Sequence, residues 1–173
     1  AAGEQLILGI DYTFQKGTQS SGTTVTWFEN NDHMVYSVNF GSSGTTKGLL
    51  INYAKGNDSG GNIEIRLGAN DIDGQLIAKM NPAKTNGWSR YLTAYVELLT
   101  DVSGIQNITI FGKVTSGISV MNLAWFELSD FSDRSETFTR IAASEYSNQH
   151  GVGFDNQGIL TSFDSSTDYV TYA

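Results

Sequence analysis

The chain has 173 residues, 39% hydrophobic and 12% aromatic, with 19 glycines, one proline and no cysteine. That supplies one sizeable core and rules out a disordered chain, disulfides and thiolate metal sites. A formal charge of -8 argues against nucleic acid, whose phosphates are held by clustered Lys and Arg, and no run of about 18 apolar residues is present to span a membrane.

Taken in order, the chain reads as a series of strands. The opening Ala1-Ala2-Gly3-Glu4-Gln5 lacks the charged and apolar regions of a signal peptide, which fits a start downstream of one. Residues 24 to 29 are strand-like. In residues 34 to 40, Met34, Tyr36, Val38 and Phe40 fall on one face, with Val35, Ser37 and Asn39 on the other. Further strands are expected at 49 to 55, 63 to 67, 75 to 80, 88 to 98, 105 to 111 and 119 to 128. Turn chemistry separates them at Gly41-Ser42-Ser43-Gly44, in the run 56 to 61 and at Thr115-Ser116-Gly117. No convincing 3.6-residue period occurs, and 96 to 104 comes nearest. Eight or so strands in this space indicate an all-β fold, an antiparallel β-sandwich of jelly-roll type, with binding expected in the loops at its ends.

Past this sandwich, assigned residues 1 to 130, the polar run 131 to 136 reads as a linker. Residues 137 to 173 read as a partial second copy of the module, with a strand expected at 137 to 141. Ile7, Asp11, Tyr12, Gln15 and Gly17 are echoed by Ile141, Glu145, Tyr146, Gln149 and Gly151, about 134 positions on. The stretch from Trp27 to Tyr36 is echoed by Phe163 to Tyr172. A period this long means tandem domains rather than a solenoid.

Catalysis is poorly supplied. His33 and His150 are the only histidines, and neither lies near a recognisable nucleophile motif. The carboxylates Glu29, Glu64, Glu97 and Glu127 lie on expected strands, where solvent-facing roles are the commoner use. Asp71-Ile72-Asp73-Gly74 opens like a calcium loop, but Leu76 and Pro82 occupy the positions that need glycine and a bidentate glutamate, so it reads as a hairpin turn. The sequons at Asn57 and Asn107 read as chance matches. Trp27 precedes an Asn-rich acidic segment, and Trp88 follows Asn86-Gly87 at the mouth of a strand. Flat aromatic faces and a bidentate amide suit a sugar, which has an apolar ring face and a hydroxyl rim. The alternative is that both are core tryptophans. Trp125, within Ala124-Trp125-Phe126, is the better core candidate.

These residues make the chain resemble a family 6 carbohydrate-binding module. The likeness rests on Ile7 to Gly17, on Trp27-Phe28-Glu29-Asn30-Asn31-Asp32 running into Tyr36, on residues 61 to 68, on Asn86-Gly87-Trp88 and on Asn122 to Leu128. The resemblance implies a noncatalytic module of a secreted bacterial glycoside hydrolase, with the catalytic module elsewhere in the full-length chain. It would hold that enzyme extracellularly on a β-glucan or related plant or algal polysaccharide. It also implies a clamp of Trp27 and Trp88 with Asn122 as polar partner, and a possible second cleft at His33 and Glu64, where an aromatic platform has been lost. The family's structural calcium is expected to be absent, because Leu8, Ile10 and Ala124 replace its carboxylate ligands. A diverged structural or interaction module that has lost sugar binding is the alternative reading. A small glycosidase or lyase is a third.

Overall fold

The computed structural model describes residues 5–130 and, beyond them, residues 148–150, 153–154, 160–161 and 169–171. The chain divides into two compact units, Ala1–Arg134 and Ser135–Ala173. The expected linker and the strand expected at 137 to 141 lie outside the described residues.

The first unit contains β1 (Leu6–Leu8), β2 (Phe14–Lys16), β3 (Gln19–Ser21), β4 (Thr24–Thr26), β5 (His33–Asn39), β6 (Gly48–Lys55), β7 (Gly60–Leu67), β8 (Leu76–Met80), β9 (Gly87–Glu97), β10 (Ile105–Ser116) and β11 (Asn122–Ser129). They form two antiparallel sheets. One has the order β3-β4-β11-β6-β9, with β1 also paired to β11; the other has the order β2-β5-β10-β7-β8. The fold is an all-β sandwich, and no helix occurs among the described residues.

Alternation decides which side of each strand is buried, because successive side chains point to opposite faces. Met34, Tyr36 and Val38 on β5, Ile63 and Ile65 on β7, and Ile108 and Ile110 on β10 face Leu49, Ile51 and Tyr53 on β6 and Leu123, Phe126 and Leu128 on β11. The rings of Tyr36 and Phe126 meet edge to face across the core, with centroids 5.1 Å apart. The Asp71–Gly74 segment is a hairpin turn, as its sequence suggests. The Gly74 amide donates to the Asp71 carbonyl at 3.2 Å, and the Asp73 amide donates to the Asp71 carboxylate at 3.0 Å.

Trp125 departs from expectation. Leu123 pairs with Tyr53, yet Trp125 pairs with Asn52, the residue next to it, so Ala124 is an extra residue in a bulge. The bulge resets the alternation, letting Leu123 and Phe126 both point inward while Trp125 turns outward beside Leu8. Trp125 is therefore half-buried on the outer face rather than a core tryptophan. Strands β1, β2 and β3 also escape notice in the sequence, because three residues are too few to establish an alternation.

The Tyr36 hydroxyl donates to the buried carbonyl of Gly9 at 2.6 Å, tying β5 to the end of β1. Burial raises the phenol's pKa well above its ordinary value, so it remains a donor at every accessible pH. Tyr36→Phe should cost about 1–3 kcal/mol, because it leaves the Gly9 carbonyl buried without a partner. Urea denaturation checks this, and a loss below about 0.5 kcal/mol would show that the carbonyl is satisfied otherwise.

The second unit contains β12 (Asn148–His150), β13 (Gly153–Phe154), β14 (Leu160–Thr161) and β15 (Tyr169–Thr171), paired β12 with β15 and β13 with β14. In the first pair Asn148, Gln149 and His150 face Thr171, Val170 and Tyr169. In β2 and β5 the corresponding residues Phe14, Gln15 and Lys16 face Val35, Met34 and His33. Both pairings are antiparallel over three residues, and Gln15 to Gln149 is a step of 134 while Met34 to Val170 is a step of 136.

Candidate functional site

Trp27, Trp88 and Asn122 line a single cleft of about 450 Å³ at one end of the sandwich, together with Ser21, Thr26, Asn57, Ile118 and Ser119. The volume falls within the roughly 300–1,000 Å³ usual for small-ligand sites. Its walls come from the ends of β3, β4 and β6, the start of β9, and the turn from β10 into β11. Residues distant in sequence meet there because antiparallel sheets bring alternate loops to the same end.

Trp27 directly follows β4 and has a φ of 51°. A bulky residue in the left-handed region costs on the order of 1–3 kcal/mol and persists only where its surroundings enforce it. Here Phe28 enforces it. Its ring is fully buried, and its carbonyl accepts the Val120 amide at 2.8 Å. With the next residue anchored inward, the Trp27 ring is left 54% exposed at the cleft.

Trp88 is presented by a long irregularity in β9. Ala54 pairs with Tyr91 and Lys55 pairs with Gly87, so Trp88, Ser89 and Arg90 have no partner on β6. The Trp88 ring, 38% exposed, lies against the backbone of Gly56, where a Cβ would strike Cδ1, Nε1 and Cγ of the indole. Glycine is needed at 56 to seat the ring. Thr85 fixes the approach to Trp88: its hydroxyl accepts the Lys55 amide at 2.8 Å, and its own amide donates to the Lys55 carbonyl at 2.9 Å. Beneath this loop Lys55, only 5% exposed, donates from Nζ to the Pro82 carbonyl at 3.1 Å. Burial lowers the lysine pKa, an effect that Asp58 opposes.

Asn122 is 9% exposed and donates from Nδ2 to the Trp88 carbonyl at 3.2 Å. One amide hydrogen therefore positions β9, leaving Oδ1 and the second hydrogen for a ligand. The cleft offers two aromatic faces, the two amides of Asn57 and Asn122, and the hydroxyls of Ser21, Thr26 and Ser119.

His33 and Glu64 occupy one row on the outer face of the other sheet, each paired with Phe111 from opposite sides. Two strand spacings of about 4.8 Å separate their backbones, with Phe111 between them. The His33 ring is buried between Phe14 and Phe111, at centroid distances of 5.9 and 5.1 Å. Its Nδ1 lies 3.1 Å from the Asn31 carbonyl, and its Nε2 has no partner among the described residues. Glu64 accepts from Arg66 Nη2 at 2.8 Å and from Nε at 3.1 Å. Neither residue lines the cleft that holds the tryptophans.

The family described as carbohydrate binding module (family 6) matches residues 9–130. The chain belongs to that family. Its members are noncatalytic binding modules. A family 6 module from Clostridium cellulolyticum, solved in complex with xylose, is 34% identical, with a TM-score of 0.64 over 72% of this chain and 96% of that one. A β-1,3-glucan-binding family 6 module from Bacillus halodurans is 23% identical, with a TM-score of 0.64 over 72% and 95% of the two chains. An arabinoxylan arabinofuranohydrolase of glycoside hydrolase family 43 from Bacillus subtilis, solved with cellotetraose, is 17% identical, with a TM-score of 0.62 over 73% of this chain and 27% of that one. These last two show the shared fold alone. No curated protein matches the chain.

The positions at which the family resemblance implies calcium ligands hold Leu8, Ile10 and Ala124, whose side chains carry no oxygen. The Gly9 amide donates to the Ala124 carbonyl at 2.8 Å, and the nearby Asp11 carboxylate accepts the Leu8 amide at 2.8 Å. No group of three His, Asp or Glu residues able to hold a metal occurs among the described residues. The residues present do not fit the ion, since calcium takes six to eight oxygen ligands.

Proposed function

We propose that the cleft binds a sugar unit of a polysaccharide between Trp27 and Trp88, with Asn122 bonding its hydroxyls, and so holds an attached glycoside hydrolase on its substrate. Tethering raises the enzyme's effective concentration at the polymer without any chemistry in the module itself. The observation that carries this reading is the strained, half-exposed Trp27 beside a second exposed tryptophan in the same cleft. Apolar rings left in water at a conformational cost serve a ligand better than they serve a core. The same observation disfavours a module that has lost sugar binding.

A β-glucan or related plant or algal polysaccharide is the proposed target, and a secreted bacterial enzyme the proposed setting. The 34% identical family 6 relative solved with xylose supports the ligand class. Native gels containing laminarin, barley β-glucan or xylan test the reading: at least one polymer should retard the protein, and unchanged migration in all three would overturn it.

The module is also proposed to fold without structural calcium, because Leu8, Ile10 and Ala124 stand at the positions of its carboxylate ligands. Its Tm should be the same in EDTA and in millimolar calcium. A rise of several degrees with calcium would reveal a bound ion, because a ligand of the folded state stabilises it. Residues 137 to 173 are proposed to be the opening of a second module, a reading supported by the antiparallel pairing of β12 with β15, like that of β2 with β5.

A further inference from the structure

A second cleft of about 330 Å³ adjoins the first, lined by Glu29, Asn30, Val114, Thr115, Ser116, Gly117 and Ile118. Ile118 is common to both and is 61% exposed, so it stands as a low apolar saddle between two basins. Trp27 walls the first basin and Glu29 the second, two residues further along the same segment. The first basin is dominated by aromatic faces, whereas the second offers a carboxylate, an amide and two hydroxyls.

The segment that carries Glu29 and Asn30 is pinned to β10. The Asn31 amide donates to the Gly112 carbonyl at 2.8 Å, and the Gly112 amide donates to the Asp32 carbonyl at 2.9 Å. The Val114 amide donates to Asn30 Oδ1 at 3.0 Å. Gly112 permits this close approach, since a Cβ there would meet the Glu29 carbonyl and the Phe28 ring. Glu29 contributes its backbone to this scaffold, its amide donating to Asp32 Oδ2 at 2.8 Å, while its carboxylate has no partner among the described residues. The result is a preorganised wall carrying an uncommitted two-oxygen acceptor.

We propose that the second basin is a subsite for the next sugar of the same glycan, with Glu29 accepting hydrogen bonds from two neighbouring hydroxyls and Ile118 packing beneath the linkage. This rests on the clamp reading of the first cleft. A carboxylate acceptor pairs with vicinal hydroxyls in the bidentate manner that favours charged hydrogen bonds. It repels a uronic acid in the same place, so the class selected is a neutral oligosaccharide of two or more units.

Calorimetric titration of the whole chain with xylose and xylotriose, and with glucose, cellotriose and laminaritriose, tests the proposal. For the backbone that binds, the trisaccharide should bind roughly tenfold more tightly than its monosaccharide, the scale of one hydrogen bond to a charged group. Glu29→Ala should remove most of that advantage while leaving the monosaccharide affinity unchanged, and Glu29→Gln, which keeps the shape, should weaken the trisaccharide alone by several-fold. Equal affinities for monosaccharide and trisaccharide in the native protein, or an unchanged advantage in Glu29→Ala, would overturn the second subsite alone. Monosaccharide binding that survives Trp88→Ala would overturn the clamp instead, and with it this proposal.

Discussion

Trp88→Ala abolishes retardation by a polysaccharide that slows the native protein, with binding weakened by at least about a hundredfold. An aromatic anchor in a binding site commonly contributes 2 kcal/mol or more on truncation, and about 2.7 kcal/mol corresponds to a hundredfold. The effect should be confined to binding. Trp88 lies in the unpaired part of β9 and is outside the buried core, so its loss leaves the register of β6 and β9 and the packing between the sheets in place. Thermal unfolding within about 1 °C of native, together with lost retardation, is the expected pair of results. Retained retardation would remove the clamp, and a large fall in Tm would show that the ring supports the fold instead.

Phe28→Ala should be the most damaging single change near the site. The ring is fully buried, Gly112 is packed against it, and its removal leaves a large cavity. Such truncations cost about 3–5 kcal/mol. For a domain of this size that corresponds to a fall in Tm of roughly 10 °C or more. Binding should weaken as well, even where the variant remains folded. The backbone at 28 holds Trp27 in the left-handed region, and a looser anchor lets Trp27 relax to an ordinary conformation in which its ring no longer faces the cleft. A stability loss under about 1 kcal/mol, or unchanged sugar affinity at a temperature where the variant is folded, would contradict this coupling.

How far sequence foretells this molecule depends on whether a residue's role is set locally or across the sheets. The alternation at 34 to 40 and 63 to 67 reads directly as β5 and β7, because burial of one face imposes it. Trp27, Trp88 and Asn122 are recoverable from residue chemistry and from the family resemblance, and the fold brings them to one cleft. Gly56 reads only as part of a turn, since nothing local shows that an indole 32 positions later will rest on it. Ile118 is likewise an ordinary apolar residue until the turn after β10 lifts it between two basins. Trp125 misleads for a specific reason: a bulge of one residue at Ala124 reverses the alternation, and an apolar neighbourhood in sequence does not reveal a bulge.

The unpaired stretch of β9 carries a consequence for how such a protein can change. Trp88, Ser89 and Arg90 bulge between two fixed pairings, Lys55 with Gly87 and Ala54 with Tyr91, so the sheet is specified on both sides without them. Under the proposed clamp, substitutions there should change binding while leaving the flanking pairings in place. In this stretch, unlike at Phe28, substitutions that change the cleft wall are thereby separated from the pairings that hold the sheet together.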